Sequence, residues 1–256
     1  MGVDIELFER LVEPSTRFCP GGRTLMLGRH GFDVGDRVRH KSEKVLPRGE
    51  VDTPVAELEQ EDEHCKSLMR GPGSGEMAAP DFPNYEGEQI IHDPKKAVPP
   101  EFEQQFDFIF DGGTIEHVFT VPVALESVHR TPAVEERSVS ANGFDGWRGH
   151  GIYQFNPELV WPFWADEPGC VVHDRRGIHK RPRGRDCPAP FPDPAETGKR
   201  LRMKGKVPPG RICLYYKVER ASDRMPEGRV LQSDYETRWH THGNADKTRL
   251  DEEGVV

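Results

Sequence analysis

Four side chains in the middle of the chain are of the right types for acid–base chemistry: Glu116, His117, His150 and Tyr153. Imidazole titrates near neutrality, so His117 and His150 are candidates to take up or release a proton. Glu116 has the chemistry to orient a histidine or bind a substrate hydroxyl, and Tyr153 to position an acceptor. His150 stands between Gly149 and Gly151, which expose it on a loop, and loops carry function. The plain alternative is structural, a histidine that hydrogen-bonds its own turn, and it applies to His117 above all. Glu116, His117, His150 and His92 also offer oxygen and nitrogen ligands for a divalent metal. They are scattered, with no histidine pair at i, i+4, so no metal is expected.

What positions these groups is the run Phe106-Asp-Phe-Ile-Phe-Asp-Gly-Gly-Thr-Ile-Glu-His-Val-Phe119. Its first half places large apolar residues around Asp107, as a buried strand does. Asp111, Gly112 and Gly113 break that strand in a tight turn. From Thr114 the apolar residues Ile115, Val118, Phe119, Pro122 and Leu125 fall three or four apart, which predicts a helix over 114–130. A strand that runs into a polar turn and then a helix is where open α/β sheets build sites. Asp111, Glu116 and His117 sit at that mouth. The competing reading is a solvated loop with a charged first turn.

Other strand-like segments recur at 24–28, 76–81, 89–93, 137–141 and 211–218, with a brief start at Val171 and Val172. Helical patterns are predicted over 1–18, ended near Pro14, and from Thr53 to Gly71, followed by a flexible connector to Gly75. Asn156, Pro157 and Glu158 read as a helix start before the apolar cluster Leu159 to Trp164. This alternation predicts an α/β fold with a mostly parallel central sheet flanked by helices. One domain is expected over 1–220, carrying a long irregular basic insert at 174–206, with a polar, partly disordered tail over 221–256. In that insert Arg175, Arg176, Lys180, Arg181, Arg183 and Arg185 suit either a phosphate-bearing substrate or a solvated face.

Composition narrows the classes. The net charge of −9 argues against a general nucleic-acid binder. No stretch approaches a membrane span of roughly 18 apolar residues, and Met1 to Glu6 lack the regions of a signal peptide, so a cytoplasmic protein is expected. The five cysteines are scattered, with no Cys-x-x-Cys pair, as reduced thiols would be. With 23 Pro and 26 Gly, the two make up close to a fifth of the chain against about 12% on average, which predicts long loops around one core.

The run 106–119, with Ala124 and Leu125 beyond it, resembles the fourth-strand motif of class I S-adenosylmethionine-dependent methyltransferases. Tyr85 to Asp93 and Gly149 to Glu158 resemble a subgroup met in polysaccharide and secondary-metabolite pathways. The resemblance implies a Rossmann-like fold, S-adenosylmethionine as cofactor, and methyl transfer to oxygen or nitrogen of a small sugar, nucleoside or metabolite. It further implies that Gly28 lies by the amino-acid end of the cofactor, Asp81 by the ribose and Asp93 by the adenine, and that Asp111, Gly112 and the residues on to His117 face the transferred methyl group. The family's first motif is acid-x-Gly-x-Gly, and here Leu27-Gly-Arg-His-Gly31 stands in its place. That departure keeps two alternatives open. One is a fold that has lost its cofactor and performs acid–base or metal-assisted chemistry on a nucleotide or sugar. The other is a non-catalytic partner subunit.

Overall fold

The computed structural model describes residues 2–13, 16, 23–28, 30–33, 77–78, 92–166, 169–180, 187, 190–197, 200–224 and 230–232. The helix expected from Thr53 to Gly71, Gln89 to Ile91, Asp81, Arg29, Arg181, Arg183, Arg185 and the end of the tail lie outside the described residues.

The core of the molecule is a six-stranded sheet. In chain order the strands are β1 (Val3–Asp4), β2 (Thr24–Met26), β3 (Phe32–Asp33), β4 (Met77–Ala78), β5 (Phe106–Asp111), β6 (Pro132–Asp145), β7 (Val171–His179) and β8 (Ile212–Glu219). β1 and β3 form a separate parallel pair, and the main sheet runs β4-β2-β5-β6-β8-β7. Its first four strands are parallel, while β8 is antiparallel to both β6 and β7. From β2 the chain progresses outward to β4, then returns to β5 and progresses the other way. The switch point therefore falls between β2 and β5, where open sheets hold their ligands. A mostly parallel α/β sheet is what the sequence pattern predicts.

Both faces of the sheet are apolar because the strands alternate. Met26, Phe108, Phe110, Val139, Cys213 and Tyr215 point to one core, shared with Phe8 and Leu11. Leu25, Ile109, Leu214, Tyr216 and Val218 point to the other, packed against Leu125, Val128 and Trp164. The first face is covered by α1 (Ile5–Leu11), whose N-cap Asp4 accepts the Leu7 N–H at 3.0 Å. The second is covered by α2 (Val121–Arg130) and the aromatic π-helical turn Trp161–Asp166. Asp107, polar amid this apolar strand, accepts the Arg23 N–H at 2.7 Å and so pins β5 beside the start of β2.

Three expectations need correction. The helix predicted over 114–130 is two pieces, a 3-10 turn Ile115–His117 and then α2, because Pro122 at the first turn sets where a regular helix begins. Phe119 falls in the gap and is 71% exposed, not part of the core. The stretch from Asp174 to His179, predicted irregular, belongs to β7, which pairs with β8 along its whole length. It is the last strand of the sheet, and on its outer edge the Arg175 and Gly177 carbonyls accept the N–H groups of Phe191 and Cys187 at 3.0 and 2.9 Å. The strand expected at 137–141 also extends, to Pro132–Asp145.

Candidate active site

The switch point is closed by two side chains from the turn after β5. Thr114 Oγ1 donates to the Leu27 carbonyl at 2.6 Å, tying the end of β2 to the end of β5. Asp111 is buried, and both its oxygens accept hydrogen bonds from its own surroundings. Oδ1 takes the Thr114 N–H at 2.8 Å and the Gly113 N–H at 3.3 Å, while Oδ2 takes Ser140 Oγ and Asn142 Nδ2, each at 2.7 Å. Asp111 thus acts as a latch that shapes the turn and joins β5 to β6. Gly112 donates its N–H to Nε2 of buried His30 at 3.0 Å, and that ring meets Phe110 edge-on at 5.3 Å. We expect Thr114→Val, nearly isosteric, to cost about 1 kcal/mol, the net worth of one hydrogen bond, seen as a lower urea midpoint at unchanged slope.

Just beyond the latch, Glu116, His117 and His150 converge. Glu116 is fully buried, and its Oε1 lies 3.2 Å from His150 Nε2 and 3.7 Å from His117 Nε2. Its other oxygen, Oε2, accepts the Gly143 N–H at the top of β6. A Cβ at Gly143 would come within 2.9 Å of that oxygen, so only glycine admits the carboxylate so close to the strand. The Glu116 carbonyl accepts the N–H groups of Ile152 and Tyr153 at 3.0 and 3.1 Å, which docks the glycine-rich loop onto the 3-10 turn. His150 packs on Trp147 with ring centroids 4.8 Å apart, and Trp147 is anchored by Nε1–H to the Ile212 carbonyl at 2.8 Å. The two imidazoles meet edge to face at 5.1 Å. Tyr153 donates its hydroxyl to the Phe119 carbonyl at 2.9 Å, beside Phe119 and the 57%-exposed Ile152.

The electrostatics follow from this burial. Desolvation pushes the Glu116 carboxyl up from its usual value, against the opposing pull of the Gly143 N–H and His117, with Asp111 adding to the rise. Partial desolvation lowers His117; Glu116 opposes that shift and His150 adds to it. His150 is also lowered, mainly by desolvation, and Arg211, whose guanidinium lies 5.1 Å over Trp147, adds to the shift. Below an already sub-neutral reference value, both rings are neutral at physiological pH and keep a nitrogen lone pair.

Of the residues expected to serve chemistry, Glu116, His117 and His150 form one cluster, and Tyr153 borders it through the shared loop. Of those expected to hold a cofactor, Gly28 and Asp111 lie at the ends of β2 and β5 and Gly112 follows Asp111, all within the latch region. Asp93 sits apart, in a turn where Oδ1 accepts the Lys95 N–H at 3.1 Å. Its neighbours His92 and Pro94 line an apolar cavity with Leu25, Leu27, Thr114 and Ile115. His92 turns its Nε2 to the Lys96 carbonyl at 3.1 Å and is not among the grouped ligands. The cavity is apolar, as the face of a flat base requires; Asp93 itself does not line it, and it continues between the sheet and α2 to Phe106 and Thr131. At the strand ends the Gly112 N–H is already given to His30, and the Asp111 carboxylate to its four donors. Sequence reasoning missed Ser140, Asn142 and Gly143 as positioning residues; Asn142 and Gly143 open the glycine-rich stretch 142–151, and Ser140 carries no signal of its own.

No family model matches the chain, and no curated protein matches it. Solved structures do. The 1,6-didemethyltoxoflavin-N1-methyltransferase of Burkholderia thailandensis, bound to S-adenosylhomocysteine, is 13% identical with a TM-score of 0.40, over 85% of this chain and 80% of that one. An O-methyltransferase from a trans-AT PKS multienzyme of Brevibacillus brevis is 11% identical with a TM-score of 0.41, over 95% and 83%. The 16S rRNA (adenine(1408)-N(1))-methyltransferase of Catenulisporales acidiphilia is 11% identical at 0.37, over 88% and 94%. At such levels of likeness the fold class rests on the strand order itself, a Rossmann-like sheet with its switch point between β2 and β5. Among the described residues, no helix is long and apolar enough to cross a membrane.

Proposed function

We propose that this chain is a methyltransferase-like enzyme that uses S-adenosylmethionine and methylates an oxygen or nitrogen of a small molecule. The observation that carries the reading is the convergence of Glu116, His117 and His150 just outside the carboxyl ends of β5 and β6, beside the switch point. When bound, S-adenosylmethionine supplies an electrophilic methyl group. The Asp93 turn and the apolar cavity beside it would hold its adenosine, and the backbone at Gly28 and Gly112 would border its other end.

The protein's own part is alignment and control of the acceptor's proton. His150 has a third of its side chain exposed and faces solvent from the loop, so an acceptor can reach it. Glu116, wholly buried behind it and held by Gly143, sets its Oε1 3.2 Å from the imidazole, whose ring packs on Trp147. Phe119 and Ile152 give the acceptor an exposed apolar ledge next to Tyr153. Calorimetry tests the reading directly: saturable binding of both S-adenosylmethionine and its demethylated product is expected, and binding of neither removes the proposal. With an acceptor in hand, His150→Ala is expected to lower kcat about a hundred- to ten-thousand-fold.

A second reading is favoured by His30. Its ring fills space against Gly112 and Phe110 at the strand ends, in a segment where the family motif places small residues. On that reading the fold is kept without the cofactor, and the cluster performs acid–base or metal-assisted chemistry alone. The same calorimetry decides between them.

A further inference from the structure

Resting on the reading that the acceptor is handled at this cluster, we propose that Glu116, His117 and His150 bind a divalent transition-metal cation of the zinc type. One coordination position would be left open for an oxygen or nitrogen of the acceptor, whose proton the cation would make easier to lose to solvent, and His150 then serves as a ligand and not as the base. The three candidate ligand atoms all lie within 4.8 Å of one another. In a tetrahedral site with metal–ligand bonds of about 2.0–2.1 Å, neighbouring ligands stand roughly 3.3 Å apart. The edges from Glu116 Oε1 to the two imidazole nitrogens are 3.2 and 3.7 Å; the third, between the imidazoles, lies within 4.8 Å and would close by rotation of the two exposed rings.

A hydrogen-bonded carboxylate–imidazole pair is the rival explanation, and two observations weigh against it. Glu116 Oε1 is buried and accepts no hydrogen bond, although both Nε2 atoms approach it. A buried carboxylate oxygen without a donor is costly unless a cation completes it. The pair would also leave the second histidine without a task, whereas two imidazoles and one carboxylate make a complete three-ligand set with an open position. Supporting contacts are those a metal site needs. Oε2 is held by the Gly143 N–H, so the carboxylate presents a single oxygen, and the His150 ring is oriented by Trp147. Both histidines are exposed, so the cluster is open to solvent for a fourth ligand. Mixed nitrogen and oxygen donors suit zinc and its neighbours better than magnesium or calcium, which prefer oxygen alone.

The test uses the full chain, stripped with a chelator and titrated with Zn²⁺ by calorimetry, then with Co²⁺ followed by visible absorption. Wild type should bind one more equivalent than the double variant His117→Ala/His150→Ala and should give cobalt bands in the visible that the double variant lacks. Each single variant should weaken that equivalent at least about tenfold, while His173→Ala, which removes an imidazole paired with Glu219, should leave it intact. Both substituted histidines are exposed, and an unchanged melting temperature of the metal-free variants will confirm that they fold. Equal stoichiometry and affinity in wild type and the double variant would overturn the site, as would loss of the equivalent in His173→Ala. Neither cofactor nor acceptor enters this experiment, so its failure leaves the methyl-transfer reading standing, and failure of cofactor binding leaves the metal site standing.

Discussion

Asp111→Ala should destabilise the protein by about 3–5 kcal/mol, more than any other single polar change at the strand ends. The substitution removes the acceptor of four hydrogen bonds, from Gly113, Thr114, Ser140 and Asn142, in a place that water does not reach. Charge-assisted bonds are worth about 1.5–3 kcal/mol each, but Asn142 Nδ2 retains Ser140 Oγ at 2.8 Å, so the losses do not simply add. Asp111→Asn is expected to cost far less, about 1–2 kcal/mol. Its carbonyl oxygen keeps the two turn N–H groups, and its amide meets Asn142, whose own Oδ1 has no hydrogen-bond partner. If the Asn142 amide turns over, it accepts where it formerly donated. Denaturant unfolding of the three proteins measures the order, and an alanine variant within about 1 kcal/mol of wild type would show that the latch is not structural.

That latch shows why some of the molecule is legible in its sequence and some is not. Phe106 to Phe110 declare a buried strand because their apolar alternation is local, and the turn after it is equally local in Asp111, Gly112 and Gly113. Ser140 and Asn142, the partners of Asp111, stand 29 and 31 residues further on, and nothing in their own neighbourhood marks them as its donors. Reading Asp111 as facing a ligand was therefore natural: a carboxylate at a strand end looks available until the facing strand is in place. β7 is hidden for a different reason. Its residues from Val171 to Arg176 are exposed or half-buried and Gly177 to His179 are all buried, so no clean buried–exposed alternation marks the strand.

The cluster itself was half visible. Glu116, His117 and His150 are of the right kinds, and the sequence places the first two after a strand and the third in a loop between glycines. What it cannot give is the fold-back of that loop, which rests on two backbone hydrogen bonds to the Glu116 carbonyl. Those bonds turn three scattered residues into one group and bury the carboxylate, and both the pKa shifts and the metal-site geometry follow from that burial. The absence of a helical histidine pair argued against a metal only as long as the ligands were assumed to share one element.

The loop also offers a clean separation of backbone strain from steric conflict, and here the second large effect is expected. Gly146 and Gly149 both adopt φ of +75, a conformation that costs an ordinary residue roughly 1–2 kcal/mol. They differ in surroundings: a Cβ at Gly149 meets nothing within 4 Å, while one at Gly146 lands 2.1 Å from the Gly210 carbonyl oxygen. That neighbour is backbone leading into β8, so no side chain can swing aside. Gly149→Ala should therefore cost about 1 kcal/mol, and Gly146→Ala about 3–5 kcal/mol from strain and overpacking together. The larger effect should also reach the site. Gly146 precedes Trp147, whose indole holds the loop to the Ile212 carbonyl and supports the His150 ring, so a displaced backbone there pulls His150 away from Glu116. Urea unfolding gives the two stability values, and zinc titration of whatever folds gives the second readout. Equal destabilisation by the two substitutions would mean that this loop does not rest on the entry to β8, and with that the placement of His150 would fall.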